Sequence, residues 1–346
     1  MRKIFLLLLI IAITVLPVQA MDYTAPSAPE SAQDLMPAET ESFTQGLWQI
    51  IKESVQLMEP ELMQALKLCV ALVAIVMLSS VLQTLPGNTS GVVELAGTVA
   101  VAAVLLQQMI AMIDLGADTV SQLSEYGKLL LPVMTAAMAA HGGVTTATAL
   151  YVGTAAFDTL LGSVIVHVLI PMVYMYLILS AAACATGIDR LKKVREFVKW
   201  FMTWLLKTLL YIYTGYIGIT GVISGTTDAA AMKAAKLALS GMVPVVGGIL
   251  SDASEAVLVG AGVMKNAAGI YGLLAIAAVW IAPFLQIGVR YLMLKLTAAV
   301  CACFEVKRPA ELIECFSGSM GLMLGMTGAM CMLLMVSTVC FMKGVS

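Results

Sequence analysis

From Ala65 to Met342 the chain is almost uninterruptedly apolar, and the one dense run of positive charge within that stretch is Arg190, Lys192, Lys193, Arg195 and Lys199. A run of this length leaves few folds open. In a bilayer it divides into spanning helices, with the basic loop as a cytoplasmic topology anchor. Composition agrees, since 60% of residues are hydrophobic and only 12% are charged, against about 25% charged in a soluble domain. The chain reads as all-α, a polytopic integral membrane helical protein with about 8 to 10 membrane segments, some re-entrant. The lipid bilayer is then its first partner. No basic stripe interleaved with aromatics is present, so nucleic acid is set aside.

Residues 1–20 have the three parts of a secretory signal: Arg2 and Lys3, an apolar core from Ile4 to Leu16, and Pro17 before Val18-Gln19-Ala20. The core is shorter than the roughly 20 residues that span a bilayer, which predicts cleavage after Ala20. Residues 21–60 form an acidic extracytoplasmic leader, with Asp22, Glu30, Asp34, Glu39, Glu41, Glu53 and Glu59 against the single base Lys52. Such text cannot bury enough apolar area to fold before about Phe43. From there Phe43, Leu47, Ile50, Ile51, Val55 and Met58 recur at spacings of 3 and 4, predicting an amphipathic helix on the outer membrane face or against a partner. Residues 61–346 are the multi-span membrane domain.

The first crossing is Ala65 to Leu85, closed by the turn text from Pro86 to Gly91. Val92 to Ile113 returns, and Asp114, Asp118 and Glu125 mark the far side. Leu129 to Ala185 divides into three spans at His141-Gly142-Gly143 and at Leu161-Gly162-Ser163. With the amino terminus outside, this parity places Gly187 and the basic run in the cytoplasm, as the positive-inside rule requires on separate grounds. A helix entering at Lys199 would bring Lys207 near the midplane at a cost of about 2.5 to 3.5 kcal/mol. Starting the span near Lys207 avoids that cost and leaves Val194 to Leu206 as an interfacial helix with Trp200 and Trp204 at headgroup level; this reading is preferred.

Beyond Gly225, Thr226 to Ser240 carries Lys233 and Lys236, and Met242 to Met264 carries Asp252 and Glu255, three residues apart on one helical face. With Asp158, Lys207, Arg290 and Lys295 they form a candidate intramembrane charge network. Either Asp252 or Glu255 neutralises Arg290 or Lys295 in the interior, or re-entrant segments keep all four in water. Whether Met242 to Met264 crosses is open at this stage, and with it the side of the carboxyl terminus.

Packing signals are clearer than chemical ones. Ser317, Gly321, Gly325 and Ala329 repeat every four residues, as do Gly221 and Gly225, with Thr214 and Gly218 upstream. Small residues at this spacing let helix backbones approach closely in lipid, within one chain or between copies, and a homo-oligomer is expected. Met320, Met323, Met326, Met330, Met332 and Met335 cover the rest of the last span as core and lipid-facing residues. The seven cysteines lack any C-x-x-C pairing and read as buried thiols. His141 and His167 stand alone. No nucleophile elbow, Walker sequence or dinucleotide fingerprint accompanies them, so no catalytic, metal or cofactor residues are assigned, and the chain is not expected to be an enzyme. Asp158 is the best single candidate for a proton or ion site.

The text from Ser240-Gly241-Met242-Val243-Pro244 to Ser254-Glu255, followed by Lys307-Arg308-Pro309 and Gly318-Ser319-Met320-Gly321, resembles the stage III sporulation protein AE family of endospore-forming bacteria. The resemblance covers roughly Phe43 to Met342, and the Met21 to Ser42 leader carries no part of it. It implies a mother-cell membrane protein in the outer membrane around the forespore. There it joins other membrane proteins of its operon and a forespore-side partner in a trans-envelope channel or secretion-like complex. The rival reading is a secondary transporter for a small solute or ion, because Val243 to Gly248 and Ala282-Pro283 look like interruptions of half-crossing helices. An intramembrane enzyme would need a facing nucleophile and base, which the sequence does not supply.

Overall fold

The computed structural model describes residues 25–37, 42–84, 90–140, 144–219, 267–304 and 306–343. Every regular element among them is helical: α1 (Glu30–Gln33), α2 (Phe43–Gln56), α3 (Glu59–Gln83), α4 (Ser90–Ala140), α5 (Val144–Val164), α6 (Ile170–Thr186), α7 (Asp189–Ile219), α8 (Ala267–Ala302) and α9 (Lys307–Lys343). A π-helical turn, Ile165–Leu169, joins α5 to α6. Pro171, which follows it, has no N–H to donate, and the wider turn absorbs that missing ladder bond without breaking the helix. Local chemistry fixes other ends. The Ser42 hydroxyl accepts from the Gln45 amide at the start of α2. Gly187 ends α6 in the left-handed region at φ 70°, its N–H donating to the Ala183 carbonyl.

α8 and α9 form an antiparallel hairpin that turns through Cys303 and Val306 and occupies the centre. In each, 72% of the most apolar window is buried, against 28% for α3. α9 packs on α8, α4, α6, α5 and α7. α7 runs parallel to α9, with Arg195 meeting Glu311, Leu206 meeting Gly325 and Tyr213 meeting Leu333. The bundle therefore has a basic end, holding Gly187 and Arg308, and a far end, where Met342 lies against Gly269 and Tyr216 donates to the Ala149 carbonyl.

Among the described residues five helices are long and apolar enough to cross a membrane: Glu59–Gln83, Gly91–Ala139, Ala147–Thr186, Gly269–Ala302 and Lys307–Met342. Their exposed faces are apolar toward the basic end, at Leu78, Leu82, Val92, Leu95, Val99, Ile178, Leu296 and Val300. On α4 this belt gives way to exposed Asp114, Asp118, Glu125 and Lys128. α4 has 51 residues, about 76 Å at 1.5 Å per residue and well over twice a hydrocarbon core of about 30 Å.

The reading of eight to ten segments is not confirmed among the described residues, where continuous helix replaces two expected boundaries. α4 runs straight through Asp114, where a span was expected to end, and the helix runs through Leu161-Gly162-Ser163, where a turn was expected. Gly162 is a packing glycine: a Cβ there would lie 3.0 Å from the Ser124 hydroxyl of α4. Gly162→Leu is expected to force α4 and α5 apart at a cost of about 1 to 3 kcal/mol, read as a lower unfolding midpoint in detergent, while Gly162→Ala changes it little. Among the described residues three long helices precede Gly187, where five spans were expected. α7 is one helix from Asp189 to Ile219, packed along α9, and Lys207 sits half-exposed within it and starts no new segment. α8 continues unbroken through Pro283. The segments from Thr226 to Met264, the signal peptide and the His141-Gly142-Gly143 turn lie outside the described residues.

The leader also differs. Ala28, Ala32 and Leu35 are buried, Ser31 hydrogen-bonds Gln122, and the Tyr126 hydroxyl donates to the Pro26 carbonyl at 3.3 Å. This short acidic stretch forms no core of its own. It is ordered by the parts of α4 and α8 beyond the belt. α2 packs on α8 through Phe43 and Ile50 and leaves Trp48 exposed.

Candidate functional site

Polar clusters lie at both ends of the bundle and between them. At the basic end, Arg308 donates to the Ala185 carbonyl (3.2 Å) and pairs with Glu94 of α4 (3.2 Å). Its guanidinium lies 2.9 Å from where a Cβ on Gly187 would be, so glycine is required there by both space and φ. One turn on, Glu311 accepts from Lys192 (3.1 Å) and from Arg195 (3.2 Å). Arg195, only 7% exposed, also reaches the thiols of Cys315 (3.1 Å) and Cys184 (3.9 Å). Lys295 pairs with Glu314 at 2.7 Å. Of the five residues read as a topology anchor, Arg190, Lys193 and Lys199 are exposed, whereas Lys192 and Arg195 turn inward and fasten α7 to α9.

The middle cluster centres on Arg290 of α8, 4% exposed. Its Nη1 donates to Gln108 of α4 (2.5 Å), and its Nη2 donates to Glu61 (3.5 Å) and Gln64 (3.4 Å) of α3. A buried arginine costs several kcal/mol unless matched by charge and hydrogen bonds, and three helices converge to supply them. Among the described residues the partners of Arg290 and Lys295 are Glu61 and Glu314; Asp252 and Glu255, to which the sequence pointed, lie outside the described residues.

At the far end Asp158 of α5 is 1% exposed. Its Oδ2 accepts from Ser124 at 3.4 Å, and its Oδ1 has no hydrogen-bond partner among the described residues. The carboxylate fits against α4 at Gly127, where a Cβ would lie 3.1 Å from Oδ1. Ser124 and Gln108 are sixteen residues apart on α4, about 24 Å, so Asp158 and Arg290 belong to separate clusters. Nearby, the Tyr213 hydroxyl bonds to Ser337 (2.7 Å) and to the Leu333 carbonyl (3.2 Å), tying α7 to α9. Tyr213→Phe is expected to cost about 1 kcal/mol of stability, measured by chemical unfolding of the purified protein.

The small-residue stripe of α9 is used within the chain. The Ser317 hydroxyl donates to the Tyr291 carbonyl of α8, Gly321 abuts the Tyr291 ring, Gly325 faces Leu206 of α7 and Ala329 is buried. Gly215 and Gly218, by contrast, have nothing within 4 Å of where a Cβ would be, and Gly221 and Gly225 lie outside the described residues. Most buried hydroxyls donate to the carbonyl four residues earlier in their own helix, as Thr119, Thr154, Ser180 and Thr338 do. Among the described residues no three His, Cys, Asp or Glu side chains gather in a metal-binding group.

Sequence reasoning missed Glu94, Gln108 and the thiols beside Arg195. The available signal was a lone acidic residue, Glu94, inside the second apolar stretch, which needs a cation such as Arg308.

The family model for stage III sporulation protein AE matches residues 31–344. The chain belongs to that family. The stage III sporulation protein AE of Bacillus subtilis (strain 168) is 22% identical over 188 residues, covering 54% of this chain and 47% of that protein. The aligned region therefore spans about half the length of the curated relative. No solved structure matches the chain. The match begins at residue 31, so the stage III sporulation protein AE family includes α1 and α2 and much of the acidic leader, which extends the resemblance upstream of Phe43.

Proposed function

We propose that this stage III sporulation protein AE family member is a membrane-embedded scaffold of a sporulation trans-envelope channel or secretion-like complex linking mother cell and forespore, with a structural and not an enzymatic role. The observation that carries the reading is the two-part surface. Exposed leucine and valine ring the basic end, and beyond that belt the packed helices expose Asp114, Asp118, Glu125 and Lys128 together with apolar Leu129, Val152 and Leu160. The first part suits a bilayer and the second suits contact with other proteins. The basic end would then face the cytoplasm and α1 the exterior, with Lys343 at the exterior end too.

Its partners would be other membrane proteins of the same sporulation complex and further copies of this chain. The unfilled faces at Gly215 and Gly218 support contact between copies. A secondary transporter for a small solute or ion is the second reading, favoured by the Asp158 oxygen left without a partner.

One experiment separates them. The tagged full chain is expected to resist carbonate extraction from membranes, to co-purify with its operon's other membrane proteins, and to move no solute when reconstituted alone. Transport by the purified chain in liposomes, lost on Asp158→Asn, would establish the transporter.

A further inference from the structure

The turn of the α8–α9 hairpin carries an open furrow of about 390 Å³. Its floor is Ala298, Ala299, Ala302 and Ala310. Single-methyl side chains leave a space that the Met320, Met323 and Leu324 farther along α9 would have filled. Its rim is Lys295, Lys307, Glu311 and Glu314.

Both rim acids already have cations. Lys295 holds Glu314 at 2.7 Å, and Lys192 and Arg195 hold Glu311 at 3.1 and 3.2 Å. Lys307 enters no ion pair among the described residues. Neither does Lys199, whose ammonium lies 3.4 Å from the Cβ position of Gly318 and close enough to Glu314 to act on its charge. A third acid, Glu196, is 4.0 Å from Arg195 and points to solvent. Lys307 is thus left over at the mouth of the furrow, whereas Lys199, beside Gly318, lies about 16 Å farther along α9 and outside the lining.

A second groove of about 410 Å³ runs alongside, between α3 and α8, and it is lined by apolar residues such as Val73, Met77, Met293 and Leu296. Adjacent α8 positions belong one to each groove: Lys295 and Leu296, Ala299 and Val300. A ligand that is anionic at one end and a long hydrocarbon at the other fits this pair. Charged pockets between spanning helices at the basic membrane face suit such headgroups.

We propose that the alanine furrow and the adjoining α3–α8 groove bind one anionic phospholipid, its phosphate on Lys307 and an acyl chain along Leu296 and Val300. The proposal rests on the membrane reading above, though the two fail separately.

The test uses the full chain purified in detergent, titrated with phosphatidylglycerol, with phosphatidylcholine and with inorganic phosphate, read by native mass spectrometry and by the unfolding midpoint. Phosphatidylglycerol is expected to give a one-to-one adduct and to raise the midpoint by several degrees, while the other two do neither. Lys307→Gln should weaken the apparent affinity about fivefold, while Lys199→Gln, exposed but outside the furrow, should change it little. Ala302→Leu, which fills the furrow without changing charge, should remove the adduct; should that variant not fold, the two lysine replacements decide alone. Equal binding of phosphatidylcholine, equal stabilisation by inorganic phosphate, or an adduct unaffected by Lys307→Gln would overturn the proposal. Each of those outcomes leaves carbonate resistance, and so the membrane reading, untouched.

Discussion

Arg290→Glu is expected to leave almost no folded protein in the membrane fraction, and Glu61→Arg in the same chain is expected to recover a measurable share. Arg290 is 4% exposed and is held by Glu61, Gln64 and Gln108 from two helices. Removing one partner of a buried ion pair costs about 3 to 5 kcal/mol. Reversing the charge adds repulsion between two carboxylates in the same small space, against a total stability of about 5 to 15 kcal/mol. The exchanged pair restores opposite charges with poorer geometry, so rescue is partial. Detergent-soluble yield and unfolding midpoint give the reading. Wild-type behaviour of Arg290→Glu alone would show that the α3 to α8 contact does not depend on this pair.

The second large effect is expected at Glu311. Glu311→Ala leaves Arg195, 7% exposed, with only the thiols of Cys184 and Cys315 and the solvent-facing Glu196 nearby. The cost is about 3 kcal/mol, seen as a fall in the unfolding midpoint, and Glu311→Gln, which keeps an acceptor, costs less. Buried ion pairs replaced by apolar residues of similar size are often neutral in stability. Arg195→Met with Glu311→Leu is therefore expected to be more stable than Glu311→Ala alone. That double-mutant comparison separates the worth of the pair from the penalty of one orphaned charge. Failure of the double replacement to exceed the single one would place the loss in packing.

How much was legible in the sequence depends on the range over which each feature is decided. The helical class, the belt and the amphipathic α2 follow from composition and from spacing within one helix, and all were readable. Segment count was not, because Asp114 and Gly162 were weighed as breakers when their helices run on. Asp114 faces outward beyond the belt and takes a hydrogen bond from Tyr174 at 2.7 Å, and Gly162 fills a gap against Ser124. Charge partners were the least legible. Glu61 and Arg290 are separated by more than two hundred residues, and only the three-dimensional path of α3 beside α8 brings them together. The stripe at Ser317, Gly321 and Gly325 has the spacing of a packing face, yet nothing in one sequence says that the helices it meets are α7 and α8 of the same chain.

The uninterrupted course of α4 has a mechanical consequence. A rod about 76 Å long that crosses a hydrocarbon core of about 30 Å leaves more than half its length outside and works as a lever. Rocking it by about 10° about its Ser90 end, well within the range of tilts that spanning helices adopt, moves Gln122 and Tyr126, about 50 Å along it, by about 9 Å. Any event that shifts its footing beside Arg308 would be felt, magnified, where α1 rests against Gln122 and Tyr126.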